Sequence, residues 1–223
     1  MSKLYIVPTP VGNLEDITLR ALRILKEVAL ILAEDTRTTG ILLKHFGISA
    51  RMQSYHKFNE HGKTTQIVEL IKRGETIALV SDAGTPGISD PGFLIVREAL
   101  KEGVKVETLP GATALIPALV SSGLSCDRFC FEGFLPRKKG RHTRLKELST
   151  ETRTMVFYES PHRVVKTLAL FAEYFGADRR AAIAREISKM YEENIQDTLS
   201  GLIAHFSAHD PRGEFVIIVE GVK

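Results

Sequence analysis

Residues 76–92 read TIALVSDAGTPGISDPG and are the segment from which the fold is most directly predicted. Its first part, residues 77–81, is apolar and lacks polar alternation, which predicts a strand buried on both faces. The loop that follows holds three glycines, two prolines and two aspartates. Open α/β sheets bind ligands at the carboxyl ends of their strands, where glycines let a ligand approach the backbone. We therefore predict a ligand-binding loop, with an ordinary connection of tight turns as the alternative.

Short apolar runs alternate with helical patterns along the rest of the chain, which predicts an α/β fold. In the first half, strands are expected at 4–7, 30–33, 52–55, 77–81 and 105–108, and helices at 18–28, 38–46, 64–73, 93–102 and 113–122. In the second half, strands are expected at 129–133, 154–158, 182–185 and 214–220, and helices at 141–148, 162–175 and 199–206. We predict two α/β domains, residues 1–115 with a mostly parallel sheet and residues 116–223 with a mixed sheet.

Composition and missing motifs exclude several classes of protein. The chain has 223 residues, 43% of them hydrophobic, and a net charge of +3. No apolar run approaches the roughly 18 residues that a membrane span needs, and residues 1–8 do not resemble a signal peptide. We therefore expect a cytoplasmic protein without membrane contact.

Nucleotide-binding and metal-binding motifs do not occur in the sequence. The G-x-x-x-x-G-K-S/T and G-x-G-x-x-G patterns are both missing, which argues against kinases, NTPases and ordinary Rossmann dehydrogenases. The two cysteines, Cys126 and Cys130, have no nearby histidine pair and do not make a zinc site. No metal is expected.

Carboxylates follow two of the predicted strands. Asp35 comes directly after the second strand, so it either faces the ligand cleft or caps the next helix with Arg37 as its surface partner. Thr36 and Thr38 are further candidates to cap that helix. Glu186 follows a strand of the second half, either as a cleft residue or paired with Arg185 at the strand end. Thr113, after the turn at 110–111, either caps the helix that follows or lies at a helix start whose backbone N–H groups receive a carboxylate or another polar ligand group.

A basic segment covers residues 136–146 and reads PRKKGRHTRLK. Six of its eleven residues are Lys or Arg, and none is acidic. Such a run either forms a solvated helix start or contacts phosphates of a nucleic acid. Its charge density favours RNA or DNA, and Arg163 can extend the patch.

Six segments, taken together and in order, resemble the tetrapyrrole methylase superfamily and, within it, the bacterial methyltransferases of small-subunit ribosomal RNA. The matching segments are residues 8–14, 34–37, 81–92, 110–114, 157–163 and 185–186, whereas the basic segment has His142 where the family pattern has an arginine. The resemblance implies S-adenosylmethionine-dependent 2′-O-methylation of a cytidine ribose in 16S ribosomal RNA of the small subunit. It further implies a class III methyltransferase fold, in which two α/β domains hold the cofactor in the cleft between them, and a homodimer.

The resemblance also assigns roles to residues. It implies cofactor contacts by Pro10, Ser81, Asp82, Thr85, Thr113, Ala114, Tyr158 and Glu159. It places Asp35 at the acidic position proposed as a proton acceptor in relatives that methylate corrins and porphyrins. Our hypothesis is that Asp35 accepts or relays the ribose proton, with Glu186 as the second candidate. The residues expected to contact RNA are Arg137, Lys138, Lys139, Arg141, Arg144, Arg163, Arg185 and Lys189. The alternatives are a methyltransferase acting on a tetrapyrrole or a modified protein side chain, and a non-catalytic RNA-binding assembly factor.

Overall fold

The structure is a computed structural model that describes residues 2–208 and 210–222. The chain divides into two compact units, of which the first ends at Thr113 and the second begins at Ala114. Each unit contains one five-stranded sheet with helices, as an α/β fold requires.

The first unit is built on a fully parallel sheet with the strand order β3-β2-β4-β1-β5. Its strands are β1 (Leu4–Ile6), β2 (Leu30–Ala33), β3 (Met52–Ser54), β4 (Ile77–Val80) and β5 (Val106–Thr108). Its helices are α1 (Leu19–Glu27), α2 (Thr36–His45), α3 (Glu60–Lys72) and α4 (Phe93–Lys101), with a short 3-10 helix at Leu14–Asp16. The five strands predicted from the first half are therefore confirmed.

Both faces of this sheet are covered, which explains why its strands lack polar alternation. Along β4, Ile77 and Leu79 belong to one hydrophobic cluster, while Ala78 and Val80 belong to another. Strand β2 divides its residues between the same two clusters. Successive side chains of a strand point to opposite faces, so a strand covered on both sides must be apolar throughout.

The second unit is built on a mixed sheet with the strand order β6-β7-β10-β8-β9. Its strands are β6 (Phe129–Phe134), β7 (Thr154–Glu159), β8 (Arg180–Arg185), β9 (Glu193–Thr198) and β10 (Phe215–Val219). Its helices are α5 (Leu115–Ser121), α6 (Arg141–Leu148), α7 (Val164–Phe175) and α8 (Leu199–Ser207). Only β6 and β7 pair in parallel; the pairs β7–β10, β10–β8 and β8–β9 are antiparallel.

Three features differ from the sequence-based expectation. Strand β9 is not among the predicted strands, because it is a mostly polar edge strand (ENIQDT) without a run of apolar residues. Helix α3 begins at Glu60, four residues before the predicted start. The prediction that Thr113 caps α5 is wrong: Ala114 occupies the N-cap position, and no side chain caps the helix.

Candidate functional site

The carboxyl ends of the parallel strands meet at one edge of the first sheet. We define the carboxyl edge by the segments that follow β1, β2, β4 and β5, namely residues 7–14, 34–38, 81–92 and 109–113. Because all five strands run in the same direction, these four segments leave the sheet on the same side. The sequence-predicted residues Pro10, Asp35, Ser81, Asp82, Thr85 and Thr113 all lie on them.

The segments after β1 and β4 are fastened to each other by backbone hydrogen bonds. The N–H of Thr9 donates to the carbonyl of Gly84, and the N–H of Gly84 donates to the carbonyl of Thr9, both at 2.9 Å. The Thr9 hydroxyl also donates to the carbonyl of Ser81 at 3.0 Å. Gly84 has a φ of +76°, which favours glycine at this position. Ser81 is buried, and its hydroxyl bonds to the loop itself, so its side chain shapes the loop.

The segment after β5 is held against the same loops. The Thr85 hydroxyl donates to the carbonyl of Ala112 at 3.2 Å, which ties the loop after β4 to the residue before Thr113. A Cβ at Gly111 would lie 2.7 Å from Cβ of Pro8, so only glycine allows this approach. The loops are therefore shaped by contacts within the protein, as a preformed ligand site requires.

Asp35 caps helix α2 and pairs with Arg37. Its Oδ1 accepts the N–H of Arg37 at 2.8 Å, and its Oδ2 lies 2.6 Å from the Arg37 guanidinium. The hydrogen bonds from the Arg37 side chain and backbone lower the pKa of Asp35 to about 2. The interpretation as a cap with Arg37 as surface partner is thus confirmed, and neither Thr36 nor Thr38 is the cap.

Three further carboxylates at this edge have raised pKa values. Burial raises the pKa of Asp90 to about 7, and the negative charges of Glu34 and Asp82 add to the effect. Burial and then the charge of Asp82 raise the pKa of Glu34. Burial also raises the pKa of Asp82, against a hydrogen bond from the backbone of Asp35. We call Glu34, Asp82 and Asp90 the acidic trio; a bound cation would stabilise its ionised form.

A cavity of about 210 Å³ opens between the segment after β1 and helix α2. It is lined by Thr9, Pro10, Gly12, Leu14, Thr38, Thr39, Ile41, Leu42, Ser81 and Asp82. Thr39 is 3% exposed, and its hydroxyl has no hydrogen-bond partner within residues 2–208 and 210–222. The cavity thus includes three of the residues predicted to bind the cofactor.

In the second unit, three residues are expected to contact the cofactor: Ala114 is the N-cap residue of α5, and Tyr158 and Glu159 are the last two residues of β7. The Tyr158 ring packs edge-on against Phe131 at 5.0 Å between ring centroids. Glu159 is buried; its carboxylate accepts the Ser160 N–H at 2.8 Å and the Thr167 hydroxyl at 2.7 Å. The Glu159 side chain therefore has a structural role.

Glu186 belongs to an ion-pair cluster at the end of β8. Its carboxylate accepts a hydrogen bond from Lys189 at 2.8 Å and from the Glu214 N–H at 2.9 Å. Burial raises the pKa of Glu186, but these two hydrogen bonds outweigh it and leave the pKa below its usual value. Arg185 pairs with Glu193 at 3.1 Å rather than with Glu186. Arg185 and Glu186 are thus both paired at the end of the strand, but with Glu193 and Lys189 rather than with each other.

The cations expected to contact RNA fall into two groups. Arg137, Lys138 and Lys139 are exposed and have no ion pair within the described residues. Arg141 begins α6, and its buried Nε has no hydrogen-bond partner among them. These four side chains can contact RNA phosphates without breaking an ion pair that exists among the described residues.

The remaining cations have partners already. Arg144 forms a two-pronged pair with Glu132, at 2.8 and 2.9 Å, and a second pair with Glu147. Arg163 lies 3.4 Å from Glu159 and donates to the carbonyl of Leu135. A phosphate contact by either residue would compete with these carboxylates, which the sequence pattern does not reveal.

Comparison with known proteins decides the family. A model of the tetrapyrrole (corrin/porphyrin) methylases matches residues 3–203. The chain belongs to the tetrapyrrole methylase family. It is a methyltransferase of this family and has the tetrapyrrole methylase fold. Among solved structures, diphthine synthase matches with a TM-score of 0.76 at 17% identity, over 99% of this chain and 90% of that one.

Proteins with much higher sequence identity to this chain are named ribosomal RNA methyltransferases. The Ribosomal RNA small subunit methyltransferase I of Pasteurella multocida is 50% identical over 222 residues, which cover 98% of this chain and 79% of that protein. The protein of the same name from Thermotoga maritima is 47% identical over 221 residues, 99% of each chain. The predicted resemblance is therefore confirmed.

Neither a metal-binding cluster nor a membrane-spanning helix occurs in the described ranges, residues 2–208 and 210–222. No group of three or more His, Cys, Asp or Glu side chains is placed there to hold a metal ion. No helix in these ranges is long and apolar enough to cross a membrane.

Two residues near the candidate site are not predicted from the sequence: Asp90 at the carboxyl edge and Thr39 in helix α2 beside it. Asp90 lies in the predicted ligand loop, but its raised pKa depends on burial and on Glu34, which is distant in sequence. Thr39 is one of several threonines at the start of α2, and only packing identifies it as the one with a buried hydroxyl that lacks a partner among the residues described. The signal in the sequence is limited to their location in the loop after β4 and in the helix after β2.

Proposed function

We propose that the protein uses S-adenosylmethionine to methylate the 2′-hydroxyl of a cytidine ribose in 16S ribosomal RNA of the small ribosomal subunit. The observation that carries this proposal is the identity of 47–50% over nearly the whole chain with proteins named Ribosomal RNA small subunit methyltransferase I. The preformed carboxyl edge and the available cations of the basic segment support it.

The residues at the carboxyl edge fit a cationic cofactor. S-adenosylmethionine supplies an electrophilic methyl group on a positively charged sulfur and carries an ammonium group as well. The acidic trio would stabilise such positive charge, since the charges of Glu34 and Asp82 raise the pKa of Asp90 and that of Asp82 raises the pKa of Glu34. Pro10, Thr85 and Thr113 lie on the fastened loops around it. From the second unit, Ala114, Tyr158 and the Glu159 backbone are proposed contacts on the resemblance alone.

A carboxylate is needed to accept the proton of the ribose hydroxyl, which is a weak nucleophile until that proton leaves. A positioned base contributes about 10²–10⁴-fold, and it is most effective when its pKa is near the working pH. Asp90, with a pKa of about 7, meets this condition better than Asp35, with a pKa of about 2. We therefore place Asp90 before Asp35 as the acceptor, and Glu186 after both because Lys189 holds its carboxylate.

RNA is held by phosphate contacts outside the reacting centre. The cations Arg137, Lys138, Lys139 and Arg141 are the first candidates, because within the described chain a phosphate adds a partner to them without displacing one. Lys189 and Arg185 are second candidates, since each already pairs with a glutamate. The target nucleotide must leave its stack to bring the ribose to the cofactor.

Methyl transfer to purified small subunits tests the proposal. Subunits from cells lacking the protein should accept one labelled methyl group, which mass mapping should place on a cytidine ribose. Label in a porphyrin precursor or in a protein side chain instead would favour the alternative methyltransferases. Cofactor binding without transfer to any RNA would favour a non-catalytic assembly factor.

Two variants identify the proton acceptor. Asp90→Asn should lower kcat by about 10²–10⁴-fold at saturating S-adenosylmethionine, while the affinity for the cofactor should change little in mildly acidic buffer, where the wild-type Asp90 is protonated as well. Asp35→Asn retains a good capping residue and should keep most activity. If Asp35→Asn shows the large loss and Asp90→Asn does not, Asp35 is the acceptor.

The homodimer implied by the resemblance is also a proposal. Sedimentation equilibrium of the purified protein should give twice the mass of the chain, and a monomer at micromolar concentration would contradict it.

A further inference from the structure

The cavity beside helix α2 is too small for a whole cofactor. Pockets that enclose drug-sized ligands measure about 300–1,000 Å³, whereas this one measures about 210 Å³. It suits a group of one ring. Its wall combines apolar side chains, among them Pro10, Leu14 and Leu42, with the hydroxyl-bearing residues Thr38 and Thr39. Apolar walls with a few polar groups are typical of sites that bind a flat ring and fix its edge.

The Thr39 hydroxyl lacks the partner that a helical threonine normally has. In a helix, the hydroxyl of threonine commonly bonds to the carbonyl three or four residues earlier. Here the carbonyl of Asp35 accepts the backbone N–H of Thr39, at 3.1 Å. Thr39 is 3% exposed and its hydroxyl has no partner within the described residues. A buried hydroxyl without a partner is unfavourable, so a bound ligand that supplies one would gain affinity.

The position of the cavity relates it to the cofactor site. Its wall shares Pro10, Ser81 and Asp82 with the residues proposed to bind the methyl donor. A methyl acceptor must lie directly beside the donor for the transfer to occur. The rest of the wall is formed by Thr9, Gly12, Leu14 and helix α2, and Leu14 and the helix have no role in the proposed cofactor site.

We propose that this cavity receives the base of the nucleotide that is methylated, a single pyrimidine ring. The proposal rests on the function proposed above. The ring contacts Pro10, Leu14 and Leu42, and its polar edge exchanges a hydrogen bond with the Thr39 hydroxyl after rotation of that side chain. Threonine has two accessible rotamers in a helix, which permits this rotation.

Thr39→Val tests the proposal, with Thr39→Ser as the matched control. Valine has the shape of threonine without the hydroxyl. We expect KM for small subunits to rise about 3- to 10-fold, as the loss of one net hydrogen bond implies. The affinity for S-adenosylmethionine by calorimetry should stay unchanged, and the melting temperature should stay equal or rise. Serine should restore KM. An unchanged KM in Thr39→Val overturns the proposal.

Leu14→Trp provides a second variant that fills the cavity from its edge. It should abolish RNA methylation while leaving the affinity for S-adenosylmethionine and the melting temperature near those of the wild type. If the cofactor affinity falls in step with activity, the cavity belongs to the donor and the proposal is overturned. A wild-type protein that methylates no RNA would instead overturn the proposed function, so the two failures are distinguishable.

Discussion

The backbone N–H of Asp35 donates to Oδ1 of Asp82, at a distance of 3.1 Å. This bond joins the segment after β2 to the segment after β4, the neighbouring strand in the sheet. It also fixes the Asp82 carboxylate near Glu34 and Asp90, whose pKa values its charge raises. One backbone hydrogen bond thus helps to hold the acidic trio together.

Asp90 should make the protein less stable as the pH rises. Its pKa is about 7 in the folded protein and 3.8 for an unperturbed aspartate, so between these values the folded state binds a proton that the unfolded chain has released. The stabilising contribution is complete below pH 3.8 and is lost as the pH rises through 7. Urea titrations across this range should show a smaller loss of stability in Asp90→Asn than in the wild type. Asp127→Asn, at an exposed position, should behave as the wild type does.

Binding of S-adenosylmethionine should release protons near neutral pH. A cation beside the acidic trio stabilises the ionised form of Asp90 and so lowers its pKa from about 7. The affinity should therefore rise with pH and level off above the free pKa. Calorimetry in buffers of different ionisation enthalpy measures the protons released, and Asp90→Asn should reduce their number. Equal proton release by the wild type and this variant would contradict the prediction.

Gly111→Ala should weaken cofactor binding. The new Cβ would lie 2.7 Å from Cβ and 2.9 Å from Cγ of Pro8, so the segment that carries Thr113 must move. Overpacking typically costs about 1–3 kcal/mol, and we expect the affinity for S-adenosylmethionine to fall about tenfold or more. Gly62→Ala is the control, because no atom lies within 4 Å of its Cβ and it sits in helix α3. That variant should gain about 0.5–1 kcal/mol in stability and bind normally.

Glu159→Ala should destabilise the second unit. Removal of a buried carboxylate leaves the Thr167 hydroxyl, the Ser160 N–H and the Arg163 guanidinium without their acceptor. Such losses cost about 3–5 kcal/mol, measured by urea unfolding. Glu147→Ala removes an exposed partner of Arg144 and should change stability by less than about 1 kcal/mol. Equal effects of the two variants would show that Glu159 is not a structural residue.

Replacing the four available cations of the basic segment should flatten the salt dependence of RNA binding. The four are Arg137, Lys138, Lys139 and Arg141. Each lost phosphate contact reduces the log–log slope by about 0.7 for single strands, or about 3 for all four. The control removes the same charge at the amino end of the first sheet, by replacing Lys26, Arg73, Lys101 and Lys105. If both sets of substitutions change the slope of RNA affinity against salt equally, the basic segment makes no specific phosphate contacts and acts only through the net charge of the protein.

The local pattern of apolar, polar and helix-capping residues is sufficient to predict much of the fold. The uninterrupted apolar run of β4 identifies a strand covered on both faces, since any polar alternation would place polar groups in one of the two cores. The start of α1 follows from Thr18, whose hydroxyl caps the helix. Strand β9 is not predicted because its sequence is mostly polar. It forms a strand because it pairs with β8, and this pairing cannot be recognised from the residues of β9 alone.

The amino-acid pattern alone is enough to predict the strand–loop–helix order, the position of the loops after the strands and the resemblance that the relatives confirmed. Which side chains at those loops are available depends on the three-dimensional packing. It assigned Asp35 to a helix cap, Glu159 to a buried network and Arg144 to an ion pair, and it raised the pKa of Asp90. The physical reason is that burial and charge pairing depend on neighbours distant along the chain, whereas strand and helix patterns depend on neighbours close along it.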